Sequence, residues 1–351
     1  MRRFVYILLF IATVQLFNSC GRPAPREDEP CPVKVDVKLT TTPVKNQGKQ
    51  SSCWIYAYLA CVETERIEQY GDSLNLSPIW LLENMFREQA VERYISQGST
   101  SISVRGVGPD AEALMQKYGM VPWSNFKPSE DLNAAVLERN LSNRINTAIR
   151  SQKGISAVLK VADECLPPVP HNLKDGFYLY SMHYTPMEFG MSILSGVHFK
   201  WITSYTHHPY HQSFVLEVAD NRHHLPFMNV TPEEMLRLTY SSIRNHHPVY
   251  WEGGMERRKL KSVHVYSPYN ISPSVIGKIA QERQKAFESF SVTDQHAMAI
   301  VGLAHDAKGN VYFILKNSWG TDWGYKGYEF MTVDDFLMNT IFVGIIDIER
   351  K

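Results

Sequence analysis

The sequence predicts an α+β protein with a helical first half and a β-rich last third. Residues 54–70 carry Ile55, Tyr58, Leu59, Val62 and Ile67 at roughly helical spacing, with Glu63, Glu65, Arg66 and Glu68 on the polar face and Gly71 as a stop signal. Residues 294–302 and 311–317 read instead as two buried antiparallel strands, with Gly309-Asn310 in the turn. Between these halves, Pro167-Pro168-Val169-Pro170 breaks the helical pattern and marks a linker or domain crossing.

At 351 residues the chain is long enough for one large domain or two ordinary ones. Lys+Arg and Asp+Glu balance at 36 each, so no global field points to nucleic acid or to an anionic membrane surface.

The first residues have their own pattern. Arg2 and Arg3 precede an apolar run over 4–17, followed by Asn18-Ser19-Cys20-Gly21. Residues 1–19 therefore read as a secretory signal peptide, too short and wrongly flanked for a stable membrane span. Cys20 resembles the lipid-acceptor cysteine of bacterial lipoproteins. The alternatives are an ordinary cleaved signal and a packed N-terminal strand. Residues 20–39 then form a polar, proline-bearing tether. The expected localisation is that of an exported, membrane-anchored lipoprotein, periplasmic or cell-surface.

From residue 31 to 45 the chain reads as an extended lead-in. After the helix over 54–70, Ser77 is placed as an N-cap and Pro78 as the first residue of a second helix containing Ile79, Trp80, Leu81, Leu82, Met85 and Phe86. A glycine-bearing loop over 96–109 follows, then a short helix over 110–118 stopped by Gly119. Residues 128–160 are helical and well charged. The stretch 177–226 is aromatic and has no clean period. Its histidines come as His207-His208, His211 and His223-His224, with His246-His247 later. Adjacent side chains in an extended segment point to opposite faces, and no cysteine or carboxylate completes a metal signature. A polar loop surface is expected there, with no metal and no cofactor. A helix over 231–245, a strand at Val249-Tyr250-Trp251 and a helix over 275–290 complete the elements before the hairpin.

Cys53 opens the first helix, after Asn46-Gln47-Gly48-Lys49-Gln50-Ser51-Ser52. Unpaired N–H groups and the helix dipole favour an anion there, so the thiol pKa is expected to fall. A buried inert thiol is an equal reading of that stretch alone. A reactive thiol needs a base, and the base needs a third group to fix its ring. The hairpin brings His296, at the start of one strand, near Asn317, at the end of the other. Each alone reads more often as structural. Cys61 falls on the apolar side of its helix and reads as core. A Cys31–Cys165 disulfide is allowed in an oxidising compartment, but the sequence leaves the pairing open.

Gln47 with Cys53-Trp54, then His296-Ala297-Met298, then Asn317-Ser318-Trp319-Gly320 with its Trp-Gly and Gly-Tyr continuation, resemble the papain-like cysteine peptidases in chain order. The resemblance is closest to the bleomycin hydrolase and aminopeptidase C branch. It implies a two-lobed papain-like domain over 40–351, with a helical lobe mainly at 40–170, a β-barrel-like lobe mainly at 245–351 and an insertion at about 125–245. It also implies Cys53 as nucleophile, His296 as base and later acid, Asn317 as orienter and Gln47 as an oxyanion-hole donor. Trp54 and Trp319 would bind substrate or shield the site, Trp319 as the aromatic cover. Gly106 would match the glycine that meets the substrate backbone, although Arg105 stands where a second glycine is common. The partner implied is a peptide or protein substrate, with no nucleic acid.

Gln50 and Ser51 replace the Cys-Gly of the secreted papain signature, so the usual nearby disulfide cannot form. Between Cys20 and Thr40 there is no room for a papain-type inhibitory propeptide. The chain ends near the last family strand, without the C-terminal tail that restricts the bleomycin hydrolase branch to substrate N-termini, which makes endopeptidase action plausible. Two other functions share these residues: a catalytically inactive peptide-binding or scaffold lipoprotein, and a thiol acyltransferase or amide hydrolase acting on a non-peptide substrate.

Overall fold

Residues 53–70 form one long helix because they contain no glycine or proline, and Gly71 stops it in the left-handed conformation, its N–H donating to Ile67 O at 2.8 Å. In the computed structural model, which describes residues 33–129, 132–170, 173–256, 265, 267–269 and 271–347, this helix is the axis of the fold. The expected signal peptide, Cys20 and Cys31 lie outside those residues.

β1 (Lys34–Lys38) is the extended lead-in, and α1 is Cys53–Tyr70. α2 (Pro78–Ile95) starts at Pro78 as expected, but the Ser77 hydroxyl donates to Phe126 O at 2.6 Å instead of capping. α3 is Gly108–Tyr118. The helical pattern over 128–160 is two helices, α4 (Ala134–Arg150) and α5 (Ile155–Cys165), divided at Gly154, where φ is +78°. β2 (Phe177–Leu179) and β3 (Met182–Tyr184) make a small hairpin. α6 (Pro186–Leu194) opens on a capping box between Thr185 and Glu188.

The main sheet then begins. Its strands are β4 (Phe199–Thr203), β5 (Ser213–Val215), β6 (Pro226–Asn229), β7 (Val249–Gly253), β8 (His296–His305), β9 (Val311–Lys316), β10 (Tyr328–Thr332) and β11 (Thr340–Ile346). α7 (Pro232–Arg244), α8 (Pro273–Glu288) and α9 (Val333–Asn339) lie between them in sequence. The spatial order is β10-β9-β8-β7-β11-β4-β6-β5, with β1 on the far half of β8. Every pairing is antiparallel except β4 with β6.

Two expectations change here. Residues 199–229, assigned by resemblance to an insertion outside the β-rich lobe, supply three strands of that lobe's own sheet. They were hard to read because β5 and β6 span only three and four residues and β4 is irregularly buried. α1 is also not the two-faced helix its spacing predicts. Residues Trp54 to Glu65 are buried all round, since α1 packs on β7 and β8 on one side and on α2, α3 and α6 on the other. Its acids are therefore partnered inside. Glu63 accepts from Lys45, Thr42 and the Leu76 N–H, and Glu65 meets His247 Nδ1 at 2.9 Å.

Candidate active site

The sheet delivers His296 and Asn317 to one place because β8 and β9 are paired neighbours, one starting where the other ends. His296 is buried, and its Nε2 lies 2.8 Å from Asn317 Oδ1. That oxygen also accepts from the Ser318 N–H at 2.7 Å, so the amide is held with its oxygen toward the ring. An acceptor at Nε2 selects the tautomer protonated there and leaves Nδ1 as the free base nitrogen. Trp319 stacks on the imidazole, with centroids 4.5 Å apart, and Trp323 meets Trp319 edge-on at 4.9 Å.

Cys53 is half-buried at the first position of α1, and the N–H groups of Ala297 and Trp54 point at its sulfur. Ala297 follows His296 directly, so the thiol sits beside the start of β8. The expected fall in thiol pKa is not what the surroundings produce. Burial, followed by the Glu252 carboxylate, pushes Cys53 up to about 12, against the smaller help of the N–H groups and Arg105. Burial also pushes His296 down to about 4, only partly offset by Asn317. The helix end favours the anion, but the burial of the sulfur and, after it, the β7 carboxylate beside it outweigh that help.

Gln47 is brought to the same place. Its N–H donates to Ser318 O at 2.8 Å, its Oε1 accepts from Ser318 Oγ at 2.6 Å, and its Nε2 donates to Gln50 O. One Nε2 hydrogen remains. These bonds, with Asn46 Oδ1 accepting from the Gly48 N–H, hold the turn that has no disulfide. The Trp319 loop is anchored to the same segment through the Gly320 N–H to Lys45 O, at 3.1 Å.

Trp54 packs beneath the neighbouring glycine-bearing loop. It is fully buried, its Nε1 donates to Val104 O at 2.9 Å, and its ring lies under Gly106. A Cβ on Gly106 would stand 2.8 Å from that ring. Arg105, standing in place of a second glycine, is a fastener: it pairs with Asp220 at 2.6 Å and donates to Asp294 O at 3.0 Å.

Three acids near this site carried no sequence signal. Glu252 on β7 is opposite Ala297 and accepts from the Tyr250 hydroxyl. Burial, then Asp294, raises its pKa well above the ordinary value. Asp294 is raised in turn by burial and then by Asp220. They were invisible because Asp220, Glu252 and Asp294 are far apart in the chain and belong to no local motif.

The histidine pair at 207–208 also departs from expectation. The chain bends over 206–208, and the two rings lie on one side with centroids 4.5 Å apart. Among the described residues, His207, His208 and Glu217 form the one group of three whose ligand atoms all lie within 4.8 Å of one another.

A sequence model of the peptidase C1-like family matches residues 174–350. Aminopeptidase C of Lactococcus lactis subsp. cremoris is 22% identical over 351 residues, spanning 85% of this chain and 79% of that protein. The crystal structure of PepW from Lactobacillus rhamnosis HN001 superposes with a TM-score of 0.63 at 16% identity, spanning 89% of this chain and 81% of that one. Fruit bromelain of Ananas comosus is 48% identical over 33 residues, 9% of this chain and 9% of that protein.

Proposed function

The chain belongs to the peptidase C1-like family, and from that premise we propose that it hydrolyses peptide bonds through a thioester acyl-enzyme, using Cys53, His296, Asn317 and Gln47. The observation that carries this reading is the His296–Asn317 hydrogen bond of 2.8 Å beneath Trp319, beside the helix that presents Cys53.

In this reading the bare Nδ1 of His296 takes the Cys53 proton as the sulfur attacks the scissile carbonyl. Asn317 holds the ring through Nε2–H and accepts more strongly as the imidazole becomes cationic. Trp319 keeps water from that bond, which strengthens it in the low-dielectric site. The developing oxyanion is met by the Cys53 N–H and the remaining Nε2 hydrogen of Gln47, whose carbonyl end Ser318 fixes. His296 then gives its proton to the leaving amine, and water cleaves the thioester by the same steps. Gly106, on the loop held by Trp54 and Arg105, would border the substrate backbone.

An epoxysuccinyl peptide should alkylate Cys53 in the folded, reduced protein, and Cys53→Ala should abolish both labelling and turnover. Failure to label the folded protein would sink the reading. Product analysis on a peptide library with free and blocked N-termini separates amino-terminal trimming from internal cleavage, and both from action on non-peptide amides. We also propose export as a lipid-anchored protein, supported by Cys20 and the apolar run before it. Cys20→Ala should then abolish incorporation of labelled fatty acid.

A further inference from the structure

We propose that His207, His208 and Glu217 form a binding site for one divalent transition-metal ion, with Zn2+ the probe suited to two imidazoles and a carboxylate. The site lies at the β5 end of the sheet, and the proposal does not depend on the peptidase reading.

The ligand atoms already face one another. His207 Nε2 is 3.1 Å from Glu217 Oε2, and His208 Nε2 is 2.8 Å from Glu217 Oε1. A metal ion inserted among them would replace these hydrogen bonds with coordinate bonds, three from the protein and the remainder from water.

Preorganisation separates this group from a chance surface cluster. Buried Asn229, at the end of β6, donates through Nδ2 to the carbonyls of Tyr205 and His208 at 2.9 Å and of Pro209 at 3.2 Å. Its Oδ1 accepts from the Tyr205 N–H at 2.9 Å. Phe214 stacks on the His208 ring with centroids 4.0 Å apart, and Phe287 stacks on His207 at 5.7 Å. Both the backbone that carries the ligands and the rings themselves are therefore held.

Gln284 on α8 supplies the outer contact that a ligating histidine requires. Its Oε1 lies 3.2 Å and its Nε2 3.0 Å from His207 Nδ1. Without metal, Nδ1 accepts from the amide nitrogen while Nε2–H donates to Glu217. With metal on Nε2, the proton resides on Nδ1 and donates to Gln284 Oε1. One side chain thus offers His207 Nδ1 a partner in either tautomer.

The occupied site would act as a clip between the bend at 206–208 and the chain leaving β5. Three residues beyond Glu217, Asp220 holds Arg105, so the clip would also fix one end of the loop that reaches the thiol site.

The test is calorimetric titration of the chelator-treated, full-length Cys53→Ala/Cys165→Ala protein with zinc chloride, the substitutions removing the two half-buried free thiols among the described residues. One equivalent should bind, and the thermal midpoint should rise with zinc. His208→Ala and Glu217→Gln should each weaken binding by more than about 100-fold, beyond what loss of an outer partner costs. Both should cancel the zinc-induced thermal shift, measured against each variant's own metal-free midpoint. His246→Asn, which alters an exposed histidine elsewhere, should change neither readout. Cobalt(II) should give a visible ligand-field spectrum that His208→Ala removes. Absence of binding, or zinc affinity equal in the parent, His208→Ala and Glu217→Gln proteins, would overturn the proposal.

Discussion

His296 Nε2 and Asn317 Oδ1 are 2.8 Å apart, and the second bond to that oxygen, from the Ser318 N–H, keeps the amide from turning over. Asn317→Ala removes the acceptor that selects the tautomer and leaves the ring free beneath Trp319. The expected result is a fall in kcat of about 100-fold or more, within the range that a positioned acid–base group contributes, with KM little changed. His296→Ala should cost at least as much. Steady-state kinetics on a fluorogenic peptide checks both.

The opposite shifts at Cys53 and His296 make the neutral thiol and neutral imidazole the resting pair, with Cys53 near 12 and His296 near 4. Alkylation of Cys53 by iodoacetamide should therefore climb with pH across the neutral range, about tenfold per pH unit, because only the thiolate reacts. A rate already level from about pH 5 upward would instead mean a standing thiolate–imidazolium pair.

Glu252 bears on stability. Its folded pKa is raised, first by burial and next by Asp294, so it contributes stability below the unfolded carboxylate value of about 4.5. That contribution is lost as pH rises, because the unfolded chain releases the proton while the folded chain keeps it. Glu252→Gln keeps the shape and removes the ionisable group. It should raise the thermal midpoint at pH 7 and leave it nearly unchanged at about pH 4, as melting at the two pH values would report.

Glu63 presents the reverse case, an acid that the interior has equipped with partners. It is buried on α1 and accepts from Lys45, Thr42 and the Leu76 N–H, while Lys316 donates to Thr42 O at 2.7 Å. Glu63→Ala leaves Lys45 and that N–H without their acceptor. Removing one member of a buried ion pair costs about 3–5 kcal/mol, so a urea midpoint well below the parent's is expected.

Local chemistry made much of this molecule legible. The β8–β9 hairpin was readable from Gly309-Asn310 between two apolar runs, and the start of α7 from Thr231-Pro232-Glu233-Glu234. Both depend on neighbours in the sequence. What the sequence concealed depends on neighbours in space. The polar face assigned to α1 assumed that Glu63 and Glu65 meet water, whereas helices on one side and the sheet on the other enclose them. The opposed directions assigned to His207 and His208 assumed an extended chain, and the bend over 206–208 turns both rings to one side. Arg105 read as the loss of a glycine, when its partners Asp220 and Asp294 lie far along the chain.

Gly106 sharpens the last of these points into a test. A Cβ there would lie 2.8 Å from Trp54 Cζ2, too short for both to stay in place, and 3.1 Å from Cη2, a tight contact. The indole cannot yield easily, because it is fully buried and bonded to Val104 O. Gly106→Ala must therefore move the loop carrying Arg105, or move the residue that follows Cys53. Overpacking of this kind costs about 1–3 kcal/mol. A displacement of 1 Å at the reacting groups costs about 100-fold in rate, so activity should fall further than stability. Adding Trp54→Phe to Gly106→Ala shrinks the ring under the new methyl and should recover part of the lost kcat/KM. A double variant no better than Gly106→Ala would mean that the glycine serves the substrate directly and not the fit of the loop on Trp54.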